Sequence, residues 1–304
     1  MARSALARAV GARVRVRALG ARSRATLRVR ARNRILFDRG ETSENERVVR
    51  LRGDDARATH AREQLGCGVG SSFRAGVIDR GRCVGTVVED GGIDGTFVVA
   101  LDETKASTSA SRVDLLLATP RPKVLRRLWA PLAAMGVRRV LLTNANKVER
   151  FYFDSKALNA ETVREEILRG LEQAGDYMMP QVGVAKRLPP IVDRVAGRLN
   201  ENDATNGFEW LLGGDRGWGL KADVLLLAHP GESQTSMADA LADVDANARV
   251  LIAVGPEGGW TDYELNLLDS AGFRRVTLGT RTLTTDVACI SLISAVRERL
   301  QSWE

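Results

Sequence analysis

The residues of this chain whose types and spacing could do chemistry begin with a glycine-rich turn in its last third. The segment VLIAVGPEGGW, residues 250–260, runs from an apolar stretch directly into Gly-Pro-Glu-Gly-Gly. Because glycine has no Cβ, backbone atoms of such a turn can approach a ligand closely. The turn contains neither the Lys-Ser/Thr of a phosphate-binding loop nor the GxGxxG pattern of a dinucleotide fingerprint. Two interpretations follow, a ligand-binding turn of another kind or a purely structural turn.

A helix is predicted directly after this turn. Thr261 is a favoured N-cap residue, and Glu264 three residues later completes a capping box. An apolar strand, a glycine-rich turn and a capped helix therefore follow one another between residues 250 and 271.

Two further segments place glycine, proline and polar residues after apolar runs. LLLAHPGE, residues 225–232, precedes the turn, and VTLGTRTLTTDVACISLISAV, residues 276–296, follows it. His229 has two interpretations, a residue at the edge of a pocket or one that hydrogen-bonds its own turn. Glu257 also has two, since it could contact a ligand or anchor its loop through backbone amides.

The elements that must position these segments alternate between strands and helices. Strand-like runs lie at residues 113–118, 137–143, 223–228, 249–254 and 274–278, and helical patterns lie near residues 122–135, 161–174, 261–271 and 286–300. Apolar strands that are buried on both faces and alternate with helices predict a mainly parallel sheet in an α/β domain. Residues 200–220 are rich in Gly and Asn and are interpreted as a loop insertion. Trp210 and Trp218 are expected to hold this loop by packing, and the alternative is that they stack on bases.

In the first third of the chain, the apolar runs are short and are separated by turn residues. Over residues 33–105, runs rich in Val, Phe and Thr are separated by clusters of Gly and Asp, which predicts a small β-barrel. A polar stretch at residues 106–112 predicts a linker. The α/β domain is therefore expected over residues 113–304.

The basic character of the chain is concentrated at its N-terminus. Residues 1–37 hold eleven arginines and no Asp or Glu, and without those charges the formal net charge of +7 becomes −4. Arginines that alternate with Ala, Val, Leu and Ser are typical of an organelle transit peptide. Residues 1–32 are therefore interpreted as a transit peptide of a chloroplast or mitochondrial protein, or as a disordered basic arm that binds RNA directly.

Two kinds of protein have almost no support in the composition. No apolar run approaches the roughly 20 residues that a membrane-spanning helix needs. Cys67, Cys83 and Cys289 are widely spaced, so neither a metal site nor a disulfide framework is predicted, and free thiols are expected.

Together, the three C-terminal segments resemble the RsmE family, whose members methylate the N3 atom of a uridine in ribosomal RNA. The pattern of that family runs L-x-HPG, then (I/V)GPEGG(F/W)xxxE, then LGxRxLxxxTA leading into a long helix. The matching stretches here are LAHPG at 227–231, VGPEGGWTDYE at 254–264 and LGTRTLTTDVA at 278–288. Their joint order and spacing make the resemblance specific, and it extends from about residue 33 to residue 300.

The resemblance implies a PUA-like β-barrel followed by a SPOUT methyltransferase domain. In that α/β fold the C-terminal chain forms a trefoil knot, a rare exception to unknotted topology, in which S-adenosyl-L-methionine (SAM) binds. Positions that match the family motifs predict cofactor-binding residues in three loops. These are Leu227, His229 and Gly231 in the first, Gly255, Pro256, Glu257, Gly258 and Gly259 in the second, and Leu278, Gly279, Leu283 and Ala288 in the third.

Arg281 is predicted to be the catalytic residue. A guanidinium beside a uracil N3–H would favour the ionised, nucleophilic form of the base. The family usually has a second arginine three positions further on, where this chain has Thr284, and Pro is commoner at the position of Thr280. These two departures concern substrate handling.

The resemblance also implies an RNA partner and a homodimer. Lys123, Arg126 and Arg127 share one face of a predicted helix, and with Lys147 and Arg150 they are predicted to bind RNA. Apolar residues of the C-terminal helix, among them Val287 and Ile290, could supply both core and dimer interface.

Three hypotheses about function remain open from the sequence. The first is methylation of a uridine N3 in small-subunit ribosomal RNA of an organelle ribosome. The second keeps the chemistry but moves it to another RNA, which Thr284 permits. The third is a non-catalytic RNA-binding factor in ribosome assembly.

Overall fold

A computed structural model describes residues 34–42, 47–106, 112–198, 208–213, 222–230 and 235–300. The predicted transit peptide or basic arm, residues 1–32, and most of the predicted linker lie outside these residues. The chain divides into two compact units, Met1–Ala106 and Ser107–Glu304. Among the described residues, no helix has the length and apolar character needed to cross a membrane.

In its described residues, the N-terminal unit has a five-stranded sheet and one α-helix. Alternate residues of its strands, such as Phe73 and Phe97, point into one apolar core. Its first strand runs parallel to the third, and the other neighbours are antiparallel. The elements are β1 Arg34–Phe37, β2 Val48–Arg52, α1 Ala56–Glu63, β3 Ser72–Val77, β4 Gly81–Asp90 and β5 Thr96–Leu101. The order of the described strands, β1-β3-β4-β5-β2, leaves β1 and β2 at the edges, and closure into a PUA-like barrel stays a prediction.

The C-terminal unit is an α/β domain around an eight-stranded sheet. Its strands are β6 Val113–Ala118, β7 Arg139–Thr143, β8 Gln181–Ala185, β9 Phe208–Leu212, β10 Val224–Ala228, β11 Thr235–Ser236, β12 Val250–Val254 and β13 Arg274–Thr277. Its helices are α2 Pro122–Ala134, α3 Ala160–Ala174, α4 Leu188–Val195, α5 Met237–Leu241, α6 Asp262–Ser270 and α7 Thr285–Leu300.

The prediction of a mainly parallel sheet is confirmed. The strand order is β11-β13-β10-β12-β6-β7-β8-β9, and only the last described pairing, β8 with β9, is antiparallel. Strands β6, β7 and β12 are buried along their whole length, and their residues are apolar except for Asp114, Arg139 and Thr143.

The interpretation of residues 200–220 as a loop was wrong for part of that stretch. Residues Phe208–Leu212 form β9, which pairs with β8 at the sheet edge. Trp210 does hold this segment by packing, since its indole lies against Gly183 of β8, where a Cβ would come within 3.2 Å of the ring. Trp218 lies outside the described residues. The strand arises from this tertiary pairing.

The three cysteines are free and buried, as expected. Burial raises the pKa of the Cys289 thiol to about 12, so it stays protonated and serves as an apolar side chain of α7.

Parallel strands set the location of the functional segments. The loops that follow β10, β12, β6 and β7 leave the sheet at the carboxyl ends of neighbouring strands. Open α/β sheets bind ligands at that edge.

Candidate functional site

A cavity of about 320 Å³ lies where the loops after β10, β12 and β13 meet the start of α7. Its volume is within the range of small-molecule pockets, roughly 300–1,000 Å³. Most residues predicted to bind a cofactor line this cavity, although they come from three separate segments. They are His229, Gly255, Pro256, Glu257, Gly258, Gly259, Leu278, Gly279, Leu283 and Ala288, and the predicted catalytic residue Arg281 lines it with them.

Two predicted residues are not among them. Leu227 is the penultimate residue of β10 and is fully buried in the core of the domain, so the next residue, Ala228, lines the cavity in its place. Packing explains this difference, because a buried strand in mid-sheet places its leucines against helices. Gly231 lies outside the described residues.

The glycine-rich loop after β12 is tied to two neighbouring loops. Oε1 of Glu257 accepts a hydrogen bond from the backbone N–H of Arg121 at 3.1 Å, just after β6. Nζ of Lys147, which follows β7, donates to the carbonyl oxygen of Gly258 at 2.7 Å. Glu257 therefore anchors its loop through a backbone amide and also lines the cavity.

The predicted capping box at the start of α6 is present. Thr261 caps the helix, and Oε2 of Glu264 accepts from the backbone N–H of Thr261 at 2.8 Å. The other oxygen of Glu264 accepts from the backbone N–H of Asn146 at 2.7 Å. Glu264 is buried, so one carboxylate both caps α6 and fixes the loop after β7.

Trp260 is a cavity residue that the sequence analysis did not single out. Its indole is buried and lies against Gly255, where a Cβ would come within 2.9 Å of Nε1. Nε1 is buried and has no hydrogen-bond partner among the described residues. The (F/W) position of the family pattern was the available signal for this residue.

The backbone of His229 connects the loop after β10 to strand β13. Its backbone N–H donates to the carbonyl oxygen of Val276 in β13 at 3.0 Å. Burial lowers the pKa of His229, and the charge of Arg275 lowers it further, so the imidazole is neutral at pH 7. Its Nδ1 is buried without a partner among the described residues.

The third loop depends on a glycine with a left-handed backbone. Gly279 has φ of +107°, and its N–H donates to Oγ1 of Thr277 at 3.2 Å. The Thr277 hydroxyl in turn donates to the carbonyl oxygen of Gly279 at 2.9 Å. Leu278, Leu283 and Arg281 are exposed on this loop, so their side chains remain accessible at the cavity mouth.

The residues predicted to bind RNA fall into two groups. Lys123, Arg126 and Arg127 are exposed on α2, as the helical spacing predicts. Lys147 and Arg150 are exposed after β7, and the hydrogen bond of Lys147 to Gly258 brings it to the cavity loop. No group of His, Cys, Asp and Glu suited to a metal ion occurs in the part of the chain that the structure describes.

Comparison with known proteins agrees with this geometry. The model of the RNA methyltransferase domain family matches residues 107–297. A ribosomal RNA small subunit methyltransferase E from Treponema pallidum is 24% identical over 283 residues, covering 90% of this chain and 93% of that protein. One from Borreliella burgdorferi is 25% identical over 191 residues, covering 62% of this chain and 69% of its own length.

A solved structure extends the similarity to the fold. The ribosomal RNA small subunit methyltransferase E of Neisseria gonorrhoeae, bound to S-adenosyl methionine, superposes with a TM-score of 0.62 at 16% identity. The match covers 88% of this chain and 97% of that protein. The resemblance to the RsmE family is therefore confirmed, and the α/β fold agrees with that of the solved structure.

Proposed function

Because this chain belongs to the RNA methyltransferase domain family, we propose that it transfers a methyl group from SAM to the N3 atom of a uridine in small-subunit ribosomal RNA. The observation that carries the proposal is the cavity, which draws together the matching positions of three separate motifs. The names of these two relatives support ribosomal RNA as the substrate class.

The residues of the cavity fit SAM. Glycines in two loops leave backbone groups accessible, and Leu278, Leu283 and Ala288 provide apolar surface for a planar base. The unpartnered Nε1 of Trp260 is a buried donor, and the unpartnered Nδ1 of His229 is a second polar atom for a ligand. When bound, SAM supplies an electrophilic methyl group.

Arg281 would act on the substrate base. Its guanidinium lines the cavity and is exposed, so a nucleotide can reach it. The positive charge of its guanidinium favours removal of the N3 proton of uracil, which passes to solvent water at the open mouth of the cavity. The catalytic contribution of this residue is thus electrostatic stabilisation of an anionic base.

The basic residues Lys123, Arg126, Arg127, Lys147 and Arg150 would hold the RNA backbone. All five are exposed. Phosphate contacts orient a nucleic acid without reading its sequence, which leaves recognition of the base to the cavity.

We further propose that the enzyme is a homodimer that acts on an organelle ribosome. Val287 and Ile290, one helical turn apart on α7, are 47% and 36% exposed. This exposed apolar pair is suited to contact with a second copy of the chain. The arginine-rich segment 1–32 supports an organelle destination. We also propose that the N-terminal unit is a PUA-like barrel and that the C-terminal unit contains a trefoil knot, as the family resemblance implies.

The test is transfer of labelled methyl from SAM to ribosomal particles of the source organelle, followed by mapping of the modified nucleotide. A single N3-methyluridine in the small-subunit RNA is expected. Modification of a different RNA would identify that RNA as the substrate. SAM binding without transfer to any RNA would favour the non-catalytic assembly factor.

A further inference from the structure

Arg127 of α2 reaches across to the first turn of α7. Its Nη2 donates to Oδ2 of Asp286 at 3.1 Å, although the two residues are 159 positions apart. The neighbouring Arg126 instead lies 3.7 Å from Glu166 of α3. Of these two arginines, Arg127 is therefore the one connected to the helix that lines the cavity.

The carboxylate of Asp286 is fixed from both sides. Its Oδ1 accepts from the hydroxyl of Thr284 at 2.6 Å and from the backbone N–H of Val287 at 3.1 Å. The hydrogen bond from Thr284, with a smaller effect from Arg127, lowers the pKa of Asp286, so the carboxylate is ionised at neutral pH. The residues on either side of Thr284, Leu283 and Thr285, line the cavity.

Most of the hydrogen-bonding capacity of Arg127 is unused by this contact. Its side chain is 60% exposed, and its guanidinium carries several N–H donors in a planar fork. One carboxylate oxygen holds one of those N–H groups. The guanidinium is thus held in one direction and can still bind an anion.

We propose that Arg127 is a phosphate-positioning residue, which binds a backbone phosphate of the substrate RNA beside the nucleotide that enters the cavity, and that Asp286 fixes its direction. This inference rests on the proposed function, because it assumes an RNA substrate at the cavity. Lys123 and Arg126 then supply general attraction for the RNA, whereas Arg127 sets its register relative to Arg281. A guanidinium already held in place loses less conformational entropy when the phosphate binds.

A purely structural role for the Arg127–Asp286 pair makes different predictions. In that case the pair would only hold α2 against α7, and removing either partner would have the same effect. If Arg127 instead binds phosphate, removing Arg127 removes a charge from the RNA interface, whereas Asp286→Asn keeps that charge and loses only its direction.

The experiment compares Arg127→Ala, Asp286→Asn and the control Arg198→Ala with the wild-type full chain. Arg198 is also an exposed arginine in an ion pair, 3.2 Å from Asp193. Binding to unmodified transcripts of small-subunit ribosomal RNA is measured over a series of salt concentrations, together with kcat and KM for methyl transfer and the thermal unfolding midpoint.

For Arg127→Ala, loss of one phosphate contact should reduce the slope of log affinity against log salt by about 0.7–0.9. Its affinity for the RNA should fall about 10-fold. Asp286→Asn should keep the wild-type salt slope but lower kcat, because the phosphate is held in less defined register. Arg198→Ala should match the wild type in slope and kcat.

An unchanged salt slope in Arg127→Ala overturns the proposal, and equal losses of thermal stability in Arg127→Ala and Asp286→Asn would then assign the pair a structural role. A wild type that methylates no small-subunit RNA would contradict the proposed function. Because the salt slope is measured by binding alone, the phosphate contact of Arg127 is decided separately from that outcome.

Discussion

The carboxylate of Glu264 accepts a hydrogen bond from the backbone N–H of Asn146 at 2.7 Å. The two residues follow strands β12 and β7, which are separated in the sheet by β6. The second oxygen of Glu264 accepts from the backbone N–H and the hydroxyl of Thr261 at 2.8 and 2.9 Å. A single buried side chain thereby sets the position of the glycine-rich loop relative to the loop that carries Lys147.

Replacing Glu264 by glutamine should destabilise the domain. A glutamine amide has only one accepting oxygen, so its NH2 group would face one of the backbone N–H donors. The free energy of unfolding should fall by about 1–3 kcal/mol, the cost of leaving a buried polar group unsatisfied. Glu165→Gln, at an exposed position of α3, should change it by less than about 0.5 kcal/mol. Equal urea denaturation midpoints for the two variants would contradict this role of Glu264.

Gly279→Ala should weaken SAM binding, and Gly272→Ala provides its matched control. Both glycines have left-handed backbones, with φ of +107° and +91°. Alanine at either position should cost on the order of 1–3 kcal/mol in stability. Only Gly279 lines the cavity, so calorimetric titration should detect reduced SAM affinity in Gly279→Ala alone. Equal SAM affinities in the two variants would argue against the third loop as a cofactor-binding segment.

Arg281→Ala should abolish most of the rate with little effect on SAM binding. Loss of the electrostatic stabilisation of an anionic uracil should cost about 2–4 kcal/mol in the transition state, roughly 30- to 1,000-fold in kcat. SAM affinity should change far less, since the cavity is lined mainly by apolar side chains and glycine backbone. Methyl transfer at saturating SAM and RNA measures the effect. A parallel fall in SAM affinity would reassign Arg281 to cofactor binding.

The stability of the domain should depend on pH through His229. Burial and Arg275 lower its pKa in the folded chain, whereas Asp269 and Asp262 partly offset this effect. The unfolded chain therefore binds more protons as the pH falls below about 6.5, the ordinary histidine pKa. The free energy of unfolding should therefore decrease as the pH falls from about 6.5 to the folded pKa of His229. Above about pH 6.5, His229 should add no pH dependence. His229→Gln should flatten this part of the profile, and an unchanged profile would show that His229 does not titrate differently on folding.

Ile290→Glu should convert the proposed dimer into a monomer. A charge within the exposed apolar surface of α7 would have to be desolvated in a dimer interface, which costs several kcal/mol. Tyr263→Glu, at a position that is 68% exposed on α6, should leave the dimer intact. Light scattering at micromolar concentration gives the mass of each. A wild type that is already a monomer would remove the homodimer from the proposal.

The sequence by itself determined the elements around the site. Strand-like runs predicted β6, β10, β12 and β13, and helical periodicity predicted α2, α3, α6 and α7 to within a residue or two at each end. The capping box of Thr261 and Glu264 could be predicted because both partners lie within one helical turn. Strand β8 and helix α4 were missed: QVGVA is short and interrupted by glycine, and two prolines obscure the start of LPPIVDRV. The fold class and most cavity residues followed from three motifs read together.

Only the tertiary structure decided which loops meet. Strand β12 lies beside β6, and β6 beside β7, which brings Arg121 and Lys147 to the glycine-rich loop more than 100 residues later. The packing of α2 against α7 likewise joins Arg127 to Asp286. No local spacing specifies these contacts, because periodicity reports whether a segment buries one face or two but not which neighbour buries it. The order of strands in a parallel sheet is a property of the whole domain. This order determines which loops can form the hydrogen bonds that hold the cavity together.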